Sequence, residues 1–140
     1  MSLHERICQS YGITKKNLQT AEEKNKNIAY TRYVLEKGYS GDFLDLLTAL
    51  APCTIGYAEI GRNIKKNKPR NKMYKKWIAT YSGKEYQTVA KNVGKLFDNS
   101  ISIRLGNDYI KTYKWKKIQG IFKRATLLEI DFWEMSLKPE

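Results

Sequence analysis

The sequence of 140 residues predicts an all-α protein, a single domain over 1–140 built as a bundle of roughly seven helices. Most segments carry apolar residues at helical spacing between recognisable start and stop signals. Neither Asn-Gly nor Asp-Gly, the usual two-residue hairpin turns, occurs in the chain. Hydrophobic residues at 41% and charged residues at 29% are typical of a folded globular domain.

Four helices are predicted in the first half of the chain. Gly12 and Gly38 are stop signals, Thr14 is a cap, and polar residues 24–27 predict a turn. Asp42 lies in the first turn of the fourth helix, where a carboxylate complements the helix dipole. The predicted ranges are about 3–11, 14–23, 28–37 and 42–66.

The helix 42–66 is apolar on nearly all sides, which is typical of a helix buried all round. Pro52 lies in its middle and is expected to kink it just before Cys53. Only three other helices of useful length are predicted, too few to surround it. We therefore expect a homo-oligomer or a complementing N-terminal helical chain.

Three helices are predicted in the second half, after a basic loop at 67–71. Ser82 and Glu85 have the spacing of a capping box, which predicts a helix start. Residues 99–106 predict a turn region. The alternating apolar residues within it are also compatible with a short strand. The helices are expected at about 72–80, 82–98 and 108–137.

The net charge of +12 invites a nucleic-acid function, but 20 of the 26 cations are lysines scattered along the chain. A nucleic-acid role is therefore disfavoured, since proteins that recognise a nucleic-acid sequence favour arginine. The apolar stretch 43–60 contains acidic residues and a proline, and we expect it not to span a membrane. The N-terminus lacks a signal-peptide pattern, so a cytoplasmic location is expected. One histidine and two cysteines predict no metal site and no cofactor.

Cys53 and Glu129 are the residues best suited to chemistry. Cys53 follows the kinking proline, although a cysteine on an apolar helix is usually inert packing. Glu129 lies between apolar residues, with Phe132 and Trp133 one turn away. It is either a proton-donating carboxyl or half of a salt bridge.

Aromatic residues add a second signal. Ten tyrosines are present, and Tyr30, Tyr57 and Tyr81 each lie within or at the end of an apolar helix. Such residues make flat walls for planar ligands, although each is also compatible with ordinary core packing.

Several separated motifs together resemble the TenA family, whose members are thiaminase II or aminopyrimidine aminohydrolase enzymes with a haem-oxygenase-like helical fold. They keep their order and distance over nearly the whole chain, with a weaker match at Leu3-His4. The matching segments are 29–35 (AYTRYVL), 41–47 (GDFLDLL), 50–61 (LAPCTIGYAEIG), 74–81 (YKKWIATY) and 129–135 (EIDFWEM).

The resemblance implies roles for six residues. Cys53 is expected to be the nucleophile and Glu129 the acid/base that protonates and deprotonates an aminopyrimidine ring. Four further residues are expected to bind the substrate by stacking or hydrogen bonding, namely Tyr30, Tyr57, Tyr81 and Phe132. No metal or cofactor is implied.

The resemblance also implies an N-terminally truncated bundle, corresponding to the C-terminal two-thirds of the family domain. The family's first third carries an acidic residue near the cysteine, and no residue here matches it. The expected activity is hydrolysis of a C–N bond on a 4-amino-2-methylpyrimidine in thiamin salvage. The alternatives are an inactive or incomplete remnant that needs a second chain, and a basic nucleic-acid-binding module. The chain alone is expected to have little activity.

Overall fold

The computed structural model describes residues 3–67 and 74–137, and these residues form helices and connecting turns without any strand. The helices are α1 Leu3–Ser10, α2 Lys15–Thr20, α3 Asn25–Ser40, α4 Phe43–Ala51, α5 Tyr57–Lys66, α6 Lys75–Tyr81, α7 Lys84–Leu105 and α8 Tyr113–Leu137. A π-helical segment, Pro52–Gly56, joins α4 to α5, and a 3₁₀ turn, Tyr109–Lys111, precedes α8. The predicted all-α class is confirmed.

Helices α3, α4 and α8 pack on one another and form the centre of the bundle. Helix α7 covers another side of α4, while α5 and α6 form a hairpin. The buried side chains of Leu44, Ile101 and Ile118 join α4, α7 and α8 at one end of the molecule. This arrangement brings the middle of the α4–α5 helix, the start of α3 and the last turns of α8 together.

An ion cluster fixes the start of α4 against α8. The Asp42 carboxylate caps α4 by accepting from the backbone N–H groups of Leu44 and Asp45. Asp45 is only 1% exposed, and its Oδ2 lies 2.8 Å from Lys114 Nζ and 3.1 Å from Lys117 Nζ. Two cations thus compensate a carboxylate whose burial alone is costly.

The expected kink at Pro52 takes the form of the π-helical segment. Proline has no N–H to donate to the preceding turn, and its ring crowds the carbonyl of that turn. The backbone responds by widening locally while it stays helical, with Pro52 at φ −58° and ψ −44°. Such segments are frequent at functional sites, and this one contains Cys53.

Two helix boundaries differ from prediction in the first half. Helix α3 begins at Asn25, inside the turn expected at 24–27, and continues past Gly38 to Ser40. Gly38 is no stop signal: it lies within α3 and lacks the positive φ of a terminating glycine, and a Cβ there would lie 3.4 Å from Leu46 Cδ1. The face of Gly38 packs against α4, and this contact keeps the residue inside the helix.

Two predictions in the second half were also wrong. Residues 99–105 continue α7 instead of forming a turn or strand, since Ile101 is buried against Leu44 and Ile118. Gly106, at φ +73°, ends the helix. The capping box is not formed either: Ser82 terminates α6, and Gly83 precedes α7 without a side-chain cap.

The other predicted ranges agree within a few residues. Most of the basic loop and the predicted first residues of α6, at 72 and 73, lie outside the described residues.

The combined helix Phe43–Lys66 is 24 residues long and, by length and hydropathy alone, is long and apolar enough to cross a membrane. A core helix passes the same test, and this one contacts α3, α6, α7 and α8. Its apolar surface is covered only in part. Leu50, Ile55 and Ile60 are between 36% and 40% exposed.

Candidate active site

One cavity of about 550 Å³ lies where the π-helical segment, α5, α6, α7 and α8 meet α1. Cys53, His4 and Ser136 line it together with aromatic side chains from four helices. These aromatic residues are Tyr57, Trp77, Tyr81, Tyr86, Phe132 and Trp133. A flat, largely apolar ring fits such walls, while the thiol, imidazole and hydroxyl groups supply polar contacts.

The aromatic walls form a connected cluster. The ring centroid of Tyr57 lies 5.2 Å from that of Tyr81 and 5.4 Å from that of Trp133. Tyr81 in turn lies 4.5 Å from Trp77 and 4.6 Å from Tyr86. Because the rings are tilted against one another, each is held by its neighbours. The cavity is therefore largely preformed.

Cys53 lies in the π-helical segment, and its thiol makes a hydrogen bond to the backbone. Its thiol donates to the Leu50 carbonyl oxygen at 3.1 Å, and Sγ lies 3.9 Å from Thr54 Oγ1. The thiol lines the cavity and is partly exposed. Cys8, the other cysteine, is in α1 and also carries a free thiol.

Glu129 is buried on α8 beside the cavity. Its Oε1 accepts a hydrogen bond from Trp133 Nε1 at 3.2 Å, and the side chain is 8% exposed. Its Oε2 is buried and has no hydrogen-bond partner within residues 3–67 and 74–137. Glu129 lines a second cavity of about 270 Å³, which shares Tyr57 and Trp133 with the first. The alternative of a salt bridge is not realised among the described residues.

Tyr30 and Tyr57 lie close to both Cys53 and Glu129. Burial raises the pKa of Tyr30 well above its usual value, and the proximity of Glu129 and Cys53 raises it further. Burial and the Glu129 carboxylate likewise raise the pKa of Tyr57. Both phenols stay protonated at neutral pH and are available to donate. The Tyr30 hydroxyl is buried and makes no hydrogen bond of good geometry with the described residues.

Two contacts fix the position of Tyr81. A Cβ placed on Gly61 of α5 would lie 2.7 Å from Tyr81 Cβ, so only glycine allows this approach of α5 and α6. Gln87 Nε2 donates to the Tyr81 carbonyl at 2.7 Å and to the Ala58 carbonyl at 2.8 Å. The start of α7 is thus bonded to both helices of the hairpin.

The structure gathers the six residues predicted from sequence into one region. Cys53, Tyr57, Tyr81 and Phe132 line the main cavity. Tyr30 and Glu129 lie beside them, as the mutual effects on pKa show. No group of three His, Cys, Asp or Glu side chains close enough to hold a metal ion occurs in the described parts of the chain.

Five cavity residues were not among the predicted site residues, namely His4, Trp77, Tyr86, Trp133 and Ser136. Trp77 precedes Tyr81 by one helical turn, a spacing that places both side chains on one face of the helix. This spacing could have predicted that Trp77 lies beside Tyr81 in the site. Tyr86 lies in the first turn of α7 and donates to the Thr54 carbonyl at 3.4 Å. His4 lies in α1, 77 residues from its contact Tyr81, and no local pattern connects them.

Comparison with known proteins identifies the family to which this chain belongs. The profile of the TENA/THI-4/PQQC family matches residues 1–138. The chain belongs to this family. A TenA family transcription regulator from a Silicibacter species has a solved structure with a TM-score of 0.93 and 45% identity, and the match covers 98% of this chain and 60% of that one. A TenA homologue from P. horikoshii gives a TM-score of 0.81 at 26% identity, over 94% of this chain and 58% of that one. The predicted haem-oxygenase-like fold is confirmed.

The curated relatives are also matched over nearly all of this chain and about three fifths of their own length. An uncharacterized Haemophilus influenzae protein is 36% identical over 98% of this chain and 62% of its own length. Aminopyrimidine aminohydrolases from Helicobacter pylori and Halalkalibacterium halodurans are 30% and 29% identical, each over 97% of this chain. The chain spans about three fifths of the length of these relatives, between 59% and 62%.

Proposed function

We propose that this chain carries the catalytic residues of an aminopyrimidine hydrolase of the thiaminase II type, acting in thiamin metabolism. The observation that carries the proposal is the convergence of Cys53 and three tyrosines on one aromatic cavity, with Glu129 and Tyr30 beside it. The names of the aminopyrimidine aminohydrolase relatives support the substrate class. The proposed substrate is a 4-amino-2-methylpyrimidine bearing an aminomethyl group.

The aromatic walls suit this substrate. A pyrimidine is flat and bears ring nitrogens and an amino group at its edge, so it needs stacking faces and edge-directed polar groups. In the proposal Tyr30 and Phe132 supply faces, while the hydroxyls of Tyr57 and Tyr81 bond to the edge and to the region of Cys53. The protonated phenols of Tyr30 and Tyr57 donate to acceptors on the ring.

Cys53 is the proposed nucleophile. Its thiolate adds to a ring carbon and forms a C–S bond, and the displaced electron pair moves to a ring nitrogen. The net reaction replaces the amine of the aminomethyl group with the hydroxyl of water and releases ammonia. When water has added, the C–S bond breaks and the thiolate is restored.

Glu129 is the proposed acid/base at the ring nitrogen. As the thiolate adds, Glu129 transfers a proton to that nitrogen, and it takes the proton back as the amine leaves. The buried Oε2, which has no hydrogen-bond partner in the described parts of the chain, is the oxygen available for this transfer, since Oε1 already accepts from Trp133. Partial burial favours the exchange because water competes poorly with the substrate.

The direct test is release of ammonia from the aminomethylpyrimidine by the purified protein and its variants. Cys53→Ser is expected to abolish hydrolysis and Glu129→Gln to reduce it roughly 100-fold or more. Cys8→Ser is the matched control, since it removes the other thiol, and it is expected to retain activity. Full activity of Cys53→Ser would refute the assignment of the nucleophile.

A second candidate is an incomplete site that a further helical polypeptide, or a second copy of this chain, must close. Large apolar side chains lie exposed around the Glu129 cavity, with Phe122 44% and Ile130 48% exposed. Exposed apolar patches of this kind favour association. In this case water enters the site, and charges developing in the reaction are poorly stabilised.

The two candidates are separated by adding a helical fragment. The fragment is taken from the part of a longer relative that this chain does not match. Ammonia release by the isolated monomer, at roughly one turnover per second or more, supports a complete site. Release only with the fragment, or only by an oligomer seen in size-exclusion chromatography, supports the incomplete one. No release in any form would indicate an inactive remnant.

A further inference from the structure

His4, the single histidine of the sequence, lines the same cavity as Cys53. Its Nε2 lies 3.4 Å from the Tyr81 hydroxyl. Nε2 accepts a hydrogen bond from the phenol when the imidazole is neutral with its proton on Nδ1, and it donates to the phenol oxygen when the imidazole is charged. The protonation of His4 therefore determines whether Tyr81 presents a proton or a lone pair to the cavity.

The proposed hydrolysis needs a group with this property. The departing amine must gain a proton, and the attacking water must lose one. In the proposed mechanism Glu129 serves the ring nitrogen, and the Cys53 thiol donates to the Leu50 carbonyl. A further proton carrier is required.

The other titratable groups of the cavity do not supply it. Besides Cys53, these groups are three tyrosines: Tyr57 on α5, Tyr81 on α6 and Tyr86 on α7. The residues that α8 contributes to the cavity carry no titratable group. Burial raises the pKa of Tyr81, and Cys53 raises it further; burial and Tyr81 raise the pKa of Tyr86 to about 12. A phenol in this state passes protons on but does not store a charge at neutral pH. Histidine is the side chain that does.

We propose that His4 and Tyr81 form a proton relay for the leaving amine and the attacking water, an inference that rests on the proposed function. Charged His4 donates to the Tyr81 oxygen while Tyr81 gives its own proton to the amine. The C–N bond breaks, and ammonia leaves with the bonding electron pair. Water then adds to the carbon and gives a proton to Tyr81, which passes one back to neutral His4. The relay ends as it began.

The position of His4 suits this role. The residue is exposed, so its imidazole exchanges protons with solvent between turnovers. Its charged neighbours on α1 are Glu5 and Arg6, and each of them has an interaction partner. A contact of 3.4 Å is long, but catalytic hydrogen bonds are often long without substrate and shorten when it binds.

The first test is independent of activity, because a single histidine gives one set of imidazole signals in NMR. The pH titration of His4 is compared in the full chain and in Tyr81→Phe, with Tyr113→Phe, an exposed site, as control. A change in the imidazole signals of His4 in Tyr81→Phe only is expected. Addition of the hydroxymethyl product should shift the His4 signals of the unsubstituted protein. Identical imidazole signals throughout the titration in a folded Tyr81→Phe variant would overturn the relay.

The second test uses the form of the protein that releases ammonia. His4→Gln is expected to lower kcat roughly 100-fold while KM changes less than about three-fold. Free imidazole should restore part of the activity of His4→Ala, which a purely structural role would not allow. Gln9→Ala, an exposed change on the same helix, is the control.

The outcomes separate the two proposals. If the unsubstituted protein releases ammonia, Cys53→Ser does not, and His4→Gln retains full kcat, the relay is wrong and the proposed function stands. If no form releases ammonia, the proposed function fails, and the NMR comparison alone decides the His4–Tyr81 contact.

Discussion

The indole nitrogen of Trp133 donates a hydrogen bond to Glu129 Oε1 at 3.2 Å across one turn of α8. The same indole ring packs against Tyr57, with centroids 5.4 Å apart. Trp133 therefore orients the carboxylate and one aromatic wall of the cavity at once. In the proposed mechanism this leaves Oε2 as the proton-transferring atom.

Trp133→Phe keeps an aromatic ring but removes the donor to Glu129. An unsatisfied buried acceptor is expected to cost about 1–3 kcal/mol in the free energy of unfolding, measured with urea. Hydrolysis is expected to fall more than stability alone explains, because the carboxylate loses its orientation. Trp115→Phe is the control, since no hydrogen bond of its indole is found in the described residues. Equal losses in both variants would contradict the role of Trp133.

Gly61→Ala tests the close approach of α5 and α6. The added methyl would lie 2.7 Å from Tyr81 Cβ and 2.9 Å from the Tyr81 carbonyl carbon. Overpacking of this kind is expected to destabilise the fold by about 1–3 kcal/mol. Gly94→Ala is the matched control in α7, where a Cβ meets no atom within 4 Å. It should raise stability by up to about 1 kcal/mol through helix propensity. The same sign in both variants would contradict the packing described.

Asp45 tests the ion cluster at the start of α4. Burial opposes its ionisation, but the hydrogen bonds from Lys114, Asp42 N–H and Lys117 prevail and hold the pKa of Asp45 below its usual range. Stability from the cluster is therefore complete above the ordinary aspartate pKa of about 3.9 and is lost as pH falls through the lower folded-state value.

Asp45→Asn should remove this acid dependence and lower the free energy of unfolding at neutral pH by roughly 1–3 kcal/mol, since both lysines are partly solvated. Asp108→Asn breaks an ion pair whose side chains are more than 80% exposed and is expected to have no measurable effect. An unchanged unfolding curve for Asp45→Asn between pH 2 and 7 would show that the cluster contributes nothing.

The sequence predicted the features that local pattern determines. Asp42, predicted in the first turn as a carboxylate that complements the dipole, marks the start of α4 as its N-cap, and Pro52, which lacks an N–H, disturbs the helix where expected. The glutamate between apolar residues on α8 was likewise recognisable. The form of the irregularity at Pro52 was not predictable, because a kink and a π-helical segment both accommodate the missing donor.

Tertiary contacts decided the remaining differences. Residues near 99–106 have weak helix propensity, yet burial of Ile101 against Leu44 keeps them helical. Ser82 ends α6, where its backbone N–H donates to the Ile78 carbonyl, and it therefore does not cap α7. The His4–Tyr81 contact joins residues that no periodicity relates.

The central claim is that Cys53 attacks an aminopyrimidine in this cavity. The most direct measurement is acid quenching during turnover, followed by mass spectrometry of the peptides containing Cys53 and Cys8. We predict that a pyrimidine adduct accumulates on the Cys53 peptide alone and is absent from Cys53→Ser. Ammonia release without any adduct, at a rate that Cys53→Ser retains, would contradict the account.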